Sequence, residues 1–155
     1  MRRLSSDSPI WAMQRILAVD YGRRRIGLAV SDPLGLTSQG LDSLVVSSRE
    51  EALRRLCDLI RRWGVVEILL GLPLRTDGRE GPEAQEVRDF GEKLAARSGV
   101  RVTFWDERLT SREALRALHD MGKKLRDRKE EVDRISATLL LQGYLASRSP
   151  GGGKE

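Results

Sequence analysis

Strand-like segments come first in this chain, and helix-like segments appear only after three of them. Short apolar runs at 16–20, 26–31 and 41–46 are separated by turns and predict strands. From Ser48 onward, helical spacing alternates with further apolar runs. Neighbouring strands with short connections pair antiparallel, whereas strands joined through a helix run parallel. The order therefore predicts an α/β domain with a five-stranded mixed sheet, three antiparallel strands and then parallel strands, flanked by helices.

Local signals place the remaining elements. Ser48 and Glu51 have the spacing of a capping box, in which each side chain bonds the backbone N–H of the other residue, and Gly64 is a helix stop. The near-continuous apolar run at 65–70 predicts a strand buried on both faces. The other predicted elements are a loop at 71–81, a helix at 82–99, a strand at 101–105, a helix opened by a second capping box (Thr110, Glu113) and ending near Gly122, a basic loop at 122–129, and a helix at about 130–146.

The 155 residues fit one domain. We expect a flexible polar extension at 1–14, the folded domain at 15–146 and a disordered tail at 147–155, where Pro150 precedes three glycines. No apolar run is long enough to span a bilayer, and the first residues lack the apolar stretch of a signal peptide. With Cys57 as the only cysteine, a reducing cytoplasm is the expected location, and Cys57 itself is expected to be buried packing.

The charge balance favours a polyanionic partner. Lys and Arg number 28 against 23 Asp and Glu, which leaves a formal net charge of +5. Phosphate contacts by basic side chains release condensed counterions, although the same excess could serve solubility alone. His119 is the only histidine, so a cluster of histidine or cysteine ligands is excluded. Any metal must be held by carboxylates, which select hard ions such as Mg²⁺ or Mn²⁺.

Three acids stand where a site is expected. Asp20 ends the first strand, Glu107 follows the fifth strand, and Asp133 falls in the predicted first turn of the last helix. Sites in α/β sheets form at the carboxyl ends of the strands. Phosphodiester hydrolysis can use two divalent ions held by carboxylates, and acids from separate elements would repel one another without a cation. We therefore predict that Asp20, Glu107 and Asp133 are catalytic residues and metal ligands.

Two of these assignments leave alternatives open. Asp133 could instead cap its helix, where the helix dipole favours an acid. Asp106 and Glu107 are neighbours, so on an extended chain they point to opposite sides and only one is expected to be a direct ligand. Glu107 has the longer reach. Asp106 is then free to hold Arg108 or a loop backbone.

Basic residues flank the acids along the chain. Arg23, Arg24 and Arg25 follow Asp20, and a second basic run that includes Lys123 and Lys124 precedes Asp133. Arg side chains in particular match phosphate geometry. The predicted substrate contacts are Arg23, Arg24, Arg25, Arg108, Lys123 and Lys124. The competing interpretation is that charge runs only solvate loops.

Four ordered motifs resemble one known family. Segments 16–32 (ILAVDYGRRRIGLAVSD), 71–78 (GLPLRTDG), 106–111 (DERLTS) and 132–145 (VDRISATLLLQGYL) are similar to the YqgF (RuvX) family over roughly residues 15–146. The resemblance implies an RNase H-like fold related to the Holliday junction resolvase RuvC, and a nuclease role in maturing the 5′ end of pre-16S rRNA during ribosome biogenesis. The family's acidic positions match Asp20, Glu107 and Asp133, and its basic pair matches Arg24 and Arg25.

The positions at which the sequence departs from the family pattern do not include the three predicted catalytic acids. Arg75 and Thr76 stand where the family often has Asn-Met, and Ser136 and Ala137 stand where it often has Ala-Ala. The first of these changes bears on substrate contacts of the loop after the fourth strand. Neither change removes a predicted metal ligand.

Three functions remain in competition. The first is a metal-dependent ribonuclease that acts on pre-16S rRNA. The first function needs only a monomer. The second is a junction-resolving DNA endonuclease, which needs a homodimer with two sites facing branched DNA. The third is a nucleic-acid-binding adaptor without turnover. A nucleotide-hydrolysing, actin-like enzyme ranks last, because the chain is too short for the second lobe that such enzymes close over nucleotide.

Overall fold

The architecture is a five-stranded mixed sheet covered by helices on both faces. The computed structural model describes residues 14–109, 120 and 129–148. The strands are β1 (Arg15–Asp20), β2 (Arg25–Ser31), β3 (Ser38–Val45), β4 (Val65–Leu72) and β5 (Arg101–Asp106), in the order β3-β2-β1-β4-β5. The pairs β1–β2 and β2–β3 are antiparallel, whereas β1–β4 and β4–β5 are parallel. The predicted topology is confirmed.

Three helices join or cover these strands. They are α1 (Arg49–Trp63), α2 (Pro82–Ser98) and α3 (Lys129–Arg148), and a short 3-10 turn (Glu107–Leu109) follows β5. None of the described helices is long and apolar enough to cross a membrane.

Alternation along β1 divides the core into two layers. Leu17 and Val19 pack with the buried side chains of α1 and α2, whereas Ile16 and Ala18 pack with Ala137 and neighbouring residues of α3. Successive side chains of a strand point to opposite faces. Asp20, two residues after Ala18, therefore faces α3. The same parity on β4 and β5 sets which other side chains share that face.

The ends of α1 follow the predicted signals with one correction. Ser48 is the N-cap, and its hydroxyl accepts from the Glu51 N–H at 3.0 Å; Gly64 closes the helix with φ 66°. The reciprocal bond predicted from Glu51 to Ser48 is wrong. Glu51 Oε1 accepts instead from the amide and the hydroxyl of Ser47, each at 2.9 Å, because Ser47 offers two donors to the same oxygen.

Several predicted boundaries also change. β3 begins at Ser38, three residues early, because Gln39 and Gly40 continue the ladder to β2. An edge strand tolerates these polar residues. β4 continues through Gly71 and Leu72, because both pair with β5, so the loop begins at residue 73. The helix predicted at 110–122, the basic loop and most of the two chain ends lie outside the described residues, except that residue 120 is helical.

The last helix starts earlier and ends later than predicted. It runs from Lys129 to Arg148, so Asp133 is its fifth residue and not part of the first turn. The fifth residue lies beyond the four backbone N–H groups that a side chain at the helix start can cap. The carboxylate of Asp133 pairs with Arg25, and the capping interpretation is wrong.

Candidate active site

Asp20 ends β1 in a recess that two glycines create. β1 and β2 pair Asp20 with Gly27. β1 and β4 pair Val19 with Leu70, so Gly71 follows on the other side of Asp20. A Cβ at Gly27 would lie 2.6 Å from the carbonyl oxygen of Asp133, which is far inside van der Waals contact. The missing side chain on β2 therefore allows the N-terminal half of α3 to approach the sheet beside Asp20.

Glu107 enters the same recess from the other side. It opens the 3-10 turn after β5, and its carboxylate lies beside Gly71, where Leu140 of α3 also comes close. A Cβ at Gly71 would lie 2.8 Å from Glu107 Oε2 and 3.2 Å from Leu140 Cδ2. The space that Gly71 leaves open is thus where the Glu107 carboxylate lies.

Asp133 comes to the recess on α3 and is held by a base. Arg25 Nε donates to Asp133 Oδ2 at 2.8 Å, and the same guanidinium donates to Ser43 Oγ at 3.2 Å. Both partners of the ion pair are about one-quarter to one-third exposed, at 26% for Asp133 and 30% for Arg25. Arg25, predicted to contact substrate, therefore already compensates the third acid within the protein.

Ser136 links α3 directly to Asp20. Its hydroxyl donates to Asp20 Oδ2 at 2.9 Å. Residues three apart on a helix share a face, so Ser136 and Asp133 both point at the end of β1. This serine is one of the departures from the family pattern. Sequence reasoning noted the position without assigning it a contact to an acid.

The electrostatics show crowded negative charge in the recess. Burial raises the pKa of Asp20, the hydrogen bond from Ser136 lowers it, and the charge of Asp133 raises it again. Burial, then the charges of Asp20 and Asp106, raise the pKa of Glu107 to about 7. Asp20 therefore interacts with both of the other acids. A cation in the recess would favour the ionised form of each carboxylate.

The donor set fits a hard divalent ion, although the three carboxylates do not converge on one point. Within residues 14–109 and 129–148, no three acidic, histidine or cysteine side chains lie close enough together to hold one ion in common. Asp133 is turned to Arg25, whereas Asp20 and Glu107 have no ion pair with a base among the described residues, and the charge of Asp20 acts on Glu107. Oxygen donors alone suit Mg²⁺ or Mn²⁺ and do not suit a thiolate-seeking metal.

Asp106 has the other role that the sequence left open. Its side chain accepts from the backbone N–H of Arg108 at 2.9 Å and from the Arg108 guanidinium at 2.9–3.2 Å. Arg108 Nη1 also donates to the carbonyl oxygen of Thr76 at 3.1 Å. Arg108 therefore joins the end of β5 to the loop after β4, and Asp106 holds it there.

The predicted substrate contacts differ in how free their side chains are. Arg23 is 82% exposed and forms an ion pair with Glu86 at 3.0 Å. Arg24 is exposed, and within the described part of the chain its side chain has no hydrogen bond or ion pair. Exposed ion pairs contribute only about 0–1 kcal/mol, so phosphate can compete for Arg23 as well. Lys123 and Lys124 lie outside the described residues.

This fold and these motifs match one protein family. A family model described as "RuvX: Holliday junction resolvase" matches residues 14–147. The chain belongs to the RuvX family. The resemblance seen in the sequence is confirmed, and with it the expected class of enzyme, a nuclease. The matched span covers β1 through α3, so it includes all three acids of the recess.

Curated relatives of this RuvX protein agree with the match. The chain is 45% identical to a protein of Koribacter versatilis over 134 residues, which are 86% of this chain and 88% of the relative. It is 42% identical to a protein of Halothermothrix orenii and 44% identical to one of Moorella thermoacetica, each over 84% of this chain and 94% of the relative. All three relatives are named as candidate pre-16S rRNA nucleases.

Solved structures confirm the fold class of the RuvX chain. RuvC of T. thermophilus, in complex with a Holliday junction substrate, aligns with a TM-score of 0.56 at 16% identity over 84% of this chain and 94% of that one. The fowlpox virus Holliday junction resolvase aligns with a TM-score of 0.54 at 13% identity over 88% of this chain and all of that one. The RNase H-like architecture is therefore confirmed.

Proposed function

We propose that this chain is a metal-dependent nuclease in which Asp20, Glu107 and Asp133 form the catalytic centre. The observation that carries the proposal is the recess at the end of β1, where Gly27 and Gly71 leave room for acids from three separate elements. Carboxylates are costly to gather in a partly buried place unless positive charge compensates them. The pKa of Glu107, raised to about 7, reflects the cost of placing these carboxylates together in a partly buried recess.

The proposed cofactor is Mg²⁺ or Mn²⁺, with Asp20 and Glu107 as the inner ligands and Asp133 as the third. Such an ion, when bound, activates a water molecule and stabilises the leaving oxygen of a phosphodiester. The protein's own residues do the rest. Ser136 orients Asp20, Arg25 orients Asp133, and the exposed guanidinium groups of Arg23 and Arg24 lie next to Asp20 along the chain, where they can hold phosphates.

The proposed substrate is the 5′ end of pre-16S rRNA, and the proposed place of action is the cytoplasm, during ribosome biogenesis. Support comes from relatives 42–45% identical over most of the chain, which carry that substrate in their names. The basic excess of the chain agrees with an RNA partner. A monomer suffices for this role. The folded domain is proposed to begin at residue 15 and, because α3 runs to Arg148, to end two residues later than the 146 predicted from the sequence.

Cleavage of precursor 16S rRNA by purified protein tests this proposal. Wild-type protein should shorten the 5′ end with Mg²⁺ or Mn²⁺ and lose that activity on chelation. Asp20→Asn and Glu107→Gln should abolish cleavage. Asp58→Asn is the matched control, because Asp58 is an exposed acid on α1 that pairs with Arg61 and lies away from the recess. Equal cleavage by wild type and Asp20→Asn would remove Asp20 from the mechanism.

A second candidate substrate is branched DNA. The family description names Holliday junction resolvases, and a structural neighbour was solved on such a junction. Symmetric cutting of a four-way junction needs two active sites, so this role requires a homodimer. Incubating the same preparation with junction DNA and with precursor rRNA, while measuring its mass in solution, separates the two roles. Metal-independent binding without cleavage of either substrate would leave only an adaptor.

A further inference from the structure

A second cavity lies at the end of the sheet opposite to Asp20. It has a volume of about 860 Å³ and is formed by the start of β4, the first residue of β5, the β2–β3 loop and the last turns of α3. Among the described residues, five large apolar side chains are exposed, and three of these, Leu34, Leu36 and Val66, line this cavity at 52%, 71% and 47% exposure. Such a concentration of exposed apolar surface in one place marks a contact surface.

The charged groups of the cavity are already satisfied within the protein. Glu67, only 2% exposed, accepts from Tyr144 Oη at 2.5 Å and from Thr103 Oγ1 at 2.7 Å. Arg101 and Arg148 lie 3.3 and 3.5 Å from the same carboxylate. The two bases are engaged by a buried acid, whereas the apolar side chains of the cavity are left exposed.

Both ends of the described chain meet this cavity. Gln14, the first described residue, and Arg148, the last, both line it. The segment that follows, 149–155, is SPGGGKE and offers no large apolar side chain. The segment that precedes, 1–13, ends in Ile10, Trp11, Ala12 and Met13. A chain spans at most about 3.6 Å per residue, so Trp11 lies within about 11 Å of Gln14 and can reach the apolar wall.

We propose that the segment 9–13, with Trp11 as its anchor, docks in this cavity of its own chain and covers Leu34, Leu36 and Val66. An indole ring buries a large apolar area at little conformational cost, and the cavity volume lies in the range that holds such a group. The family match begins at residue 14, so the docking segment lies outside the matched span. The proposal does not depend on the nuclease activity.

A double-mutant cycle in the full chain tests the docking. Trp11→Ala should lower the thermal midpoint by about 2–4 °C. Leu36→Ser should also lower it, and the two changes together should cost no more than the larger one, because both remove the same contact. Val45→Ser is the matched control: Val45 is 59% exposed on β3 and does not line the cavity, so its effect should add to that of Trp11→Ala.

Hydrogen exchange gives a second, local measurement. Trp11→Ala should speed amide exchange in residues 34–38 and leave exchange in α1 unchanged. An unchanged midpoint, or effects of Trp11→Ala and Leu36→Ser that add as the control pair does, would overturn the proposal. A midpoint and exchange pattern that depend on protein concentration would also overturn it, because the segment of a second copy would then fill the cavity.

Discussion

The hydroxyl of Ser136 donates a hydrogen bond to Asp20 Oδ2 at 2.9 Å and so joins helix α3 to the end of strand β1. The bond spans 116 positions of sequence. The hydrogen bond fixes Asp20 Oδ2 and leaves the other oxygen of this carboxylate available to the proposed metal ion. Residues that hydrogen-bond metal ligands in this way orient the ligands, and their loss lowers metal affinity or activity.

Ser136→Ala should weaken metal binding without unfolding the protein. The variant loses the hydrogen bond that lowers the pKa of Asp20, so the carboxyl group becomes harder to ionise. We expect roughly a tenfold loss of Mg²⁺ or Mn²⁺ affinity, measured by titration calorimetry, and a shift of the acidic limb of the cleavage profile to higher pH. Ser147→Ala, on the last turn of the same helix, is the matched control, since its hydroxyl bonds only the Tyr144 carbonyl oxygen. Identical affinities for the two variants would show that the Ser136 bond is only structural.

The raised pKa of Glu107 predicts a stability that falls with rising pH in metal-free protein. The folded pKa is about 7 against a model value of 4.5, so the folded state holds a proton that the unfolded state has lost. The stabilisation is therefore fully present below pH 4.5 and is lost as the pH rises through 7. The shift corresponds to at most about 3 kcal/mol.

Urea unfolding at pH 5 and pH 8 measures this decline. The free energy of unfolding of Glu107→Gln should fall less than that of wild type over the same interval. Added Mg²⁺ should restore wild-type stability at pH 8, because the ion favours the ionised acid. Glu92→Gln, an exposed acid on α2, should behave as wild type does. If the free energies of unfolding of Glu107→Gln and wild type fall by the same amount between pH 5 and pH 8, folding does not raise the pKa of Glu107.

Gly71→Ala should damage the site more than the fold. A Cβ there would stand 2.8 Å from Glu107 Oε2 and 3.2 Å from Leu140 Cδ2, so the Glu107 carboxylate must move. The glutamate side chain is flexible, so the displacement should cost more in activity than in stability. Cleavage should be lost even below the melting temperature. Gly143→Ala is the control, because its nearest neighbour is Trp105 Nε1 at 3.9 Å and alanine favours a helix. Full activity in Gly71→Ala would place Glu107 elsewhere during catalysis.

Sequence patterns predicted the sheet well because each strand carries its own signal. The apolar runs, the short turns and the helical spacing all lie within a few residues, so the topology followed from local order. The placement of Asp20 and Glu107 at one edge also followed, since they leave parallel strands there, whereas the common metal site with Asp133 stays a prediction. The helix ends were predicted less accurately: the Glu51 side chain accepts from Ser47 and not from the backbone N–H of Ser48.

Contacts between distant elements were beyond local patterns. Arg25 and Asp133 are 108 positions apart, and only the packing of α3 on β2 makes them partners. Glu67 sits inside an apolar run, where burial was predicted for the strand as a whole. Its hydrogen bonds come from Thr103 on β5 and Tyr144 on α3, which no spacing in the sequence connects to it. The sequence predicted a loop at Gly71 for the same reason, since Gly71 belongs to the strand through its pairing with Trp105 on β5, which is distant in sequence.

Arg24→Ala should weaken nucleic-acid binding and leave metal binding unchanged. Arg24 is exposed in the turn that follows Asp20, and in the described part of the chain its side chain is engaged by no partner. One phosphate contact contributes a slope of about −0.7 to the dependence of log affinity on log salt for a single strand. Binding of precursor rRNA, measured over a salt series, should therefore lose affinity together with about that much slope.

Arg62→Ala is the control for this loss of charge, because Arg62 is exposed in the last turn of α1, away from the recess. It removes the same charge from the protein, so a general effect of net charge would weaken both variants equally. A specific phosphate contact at Arg24 requires the slope to fall in Arg24→Ala and to stay unchanged in Arg62→Ala. Equal slopes in all three proteins would exclude Arg24 from the path of the substrate, and Arg23, which must first leave Glu86, would become the next residue to test.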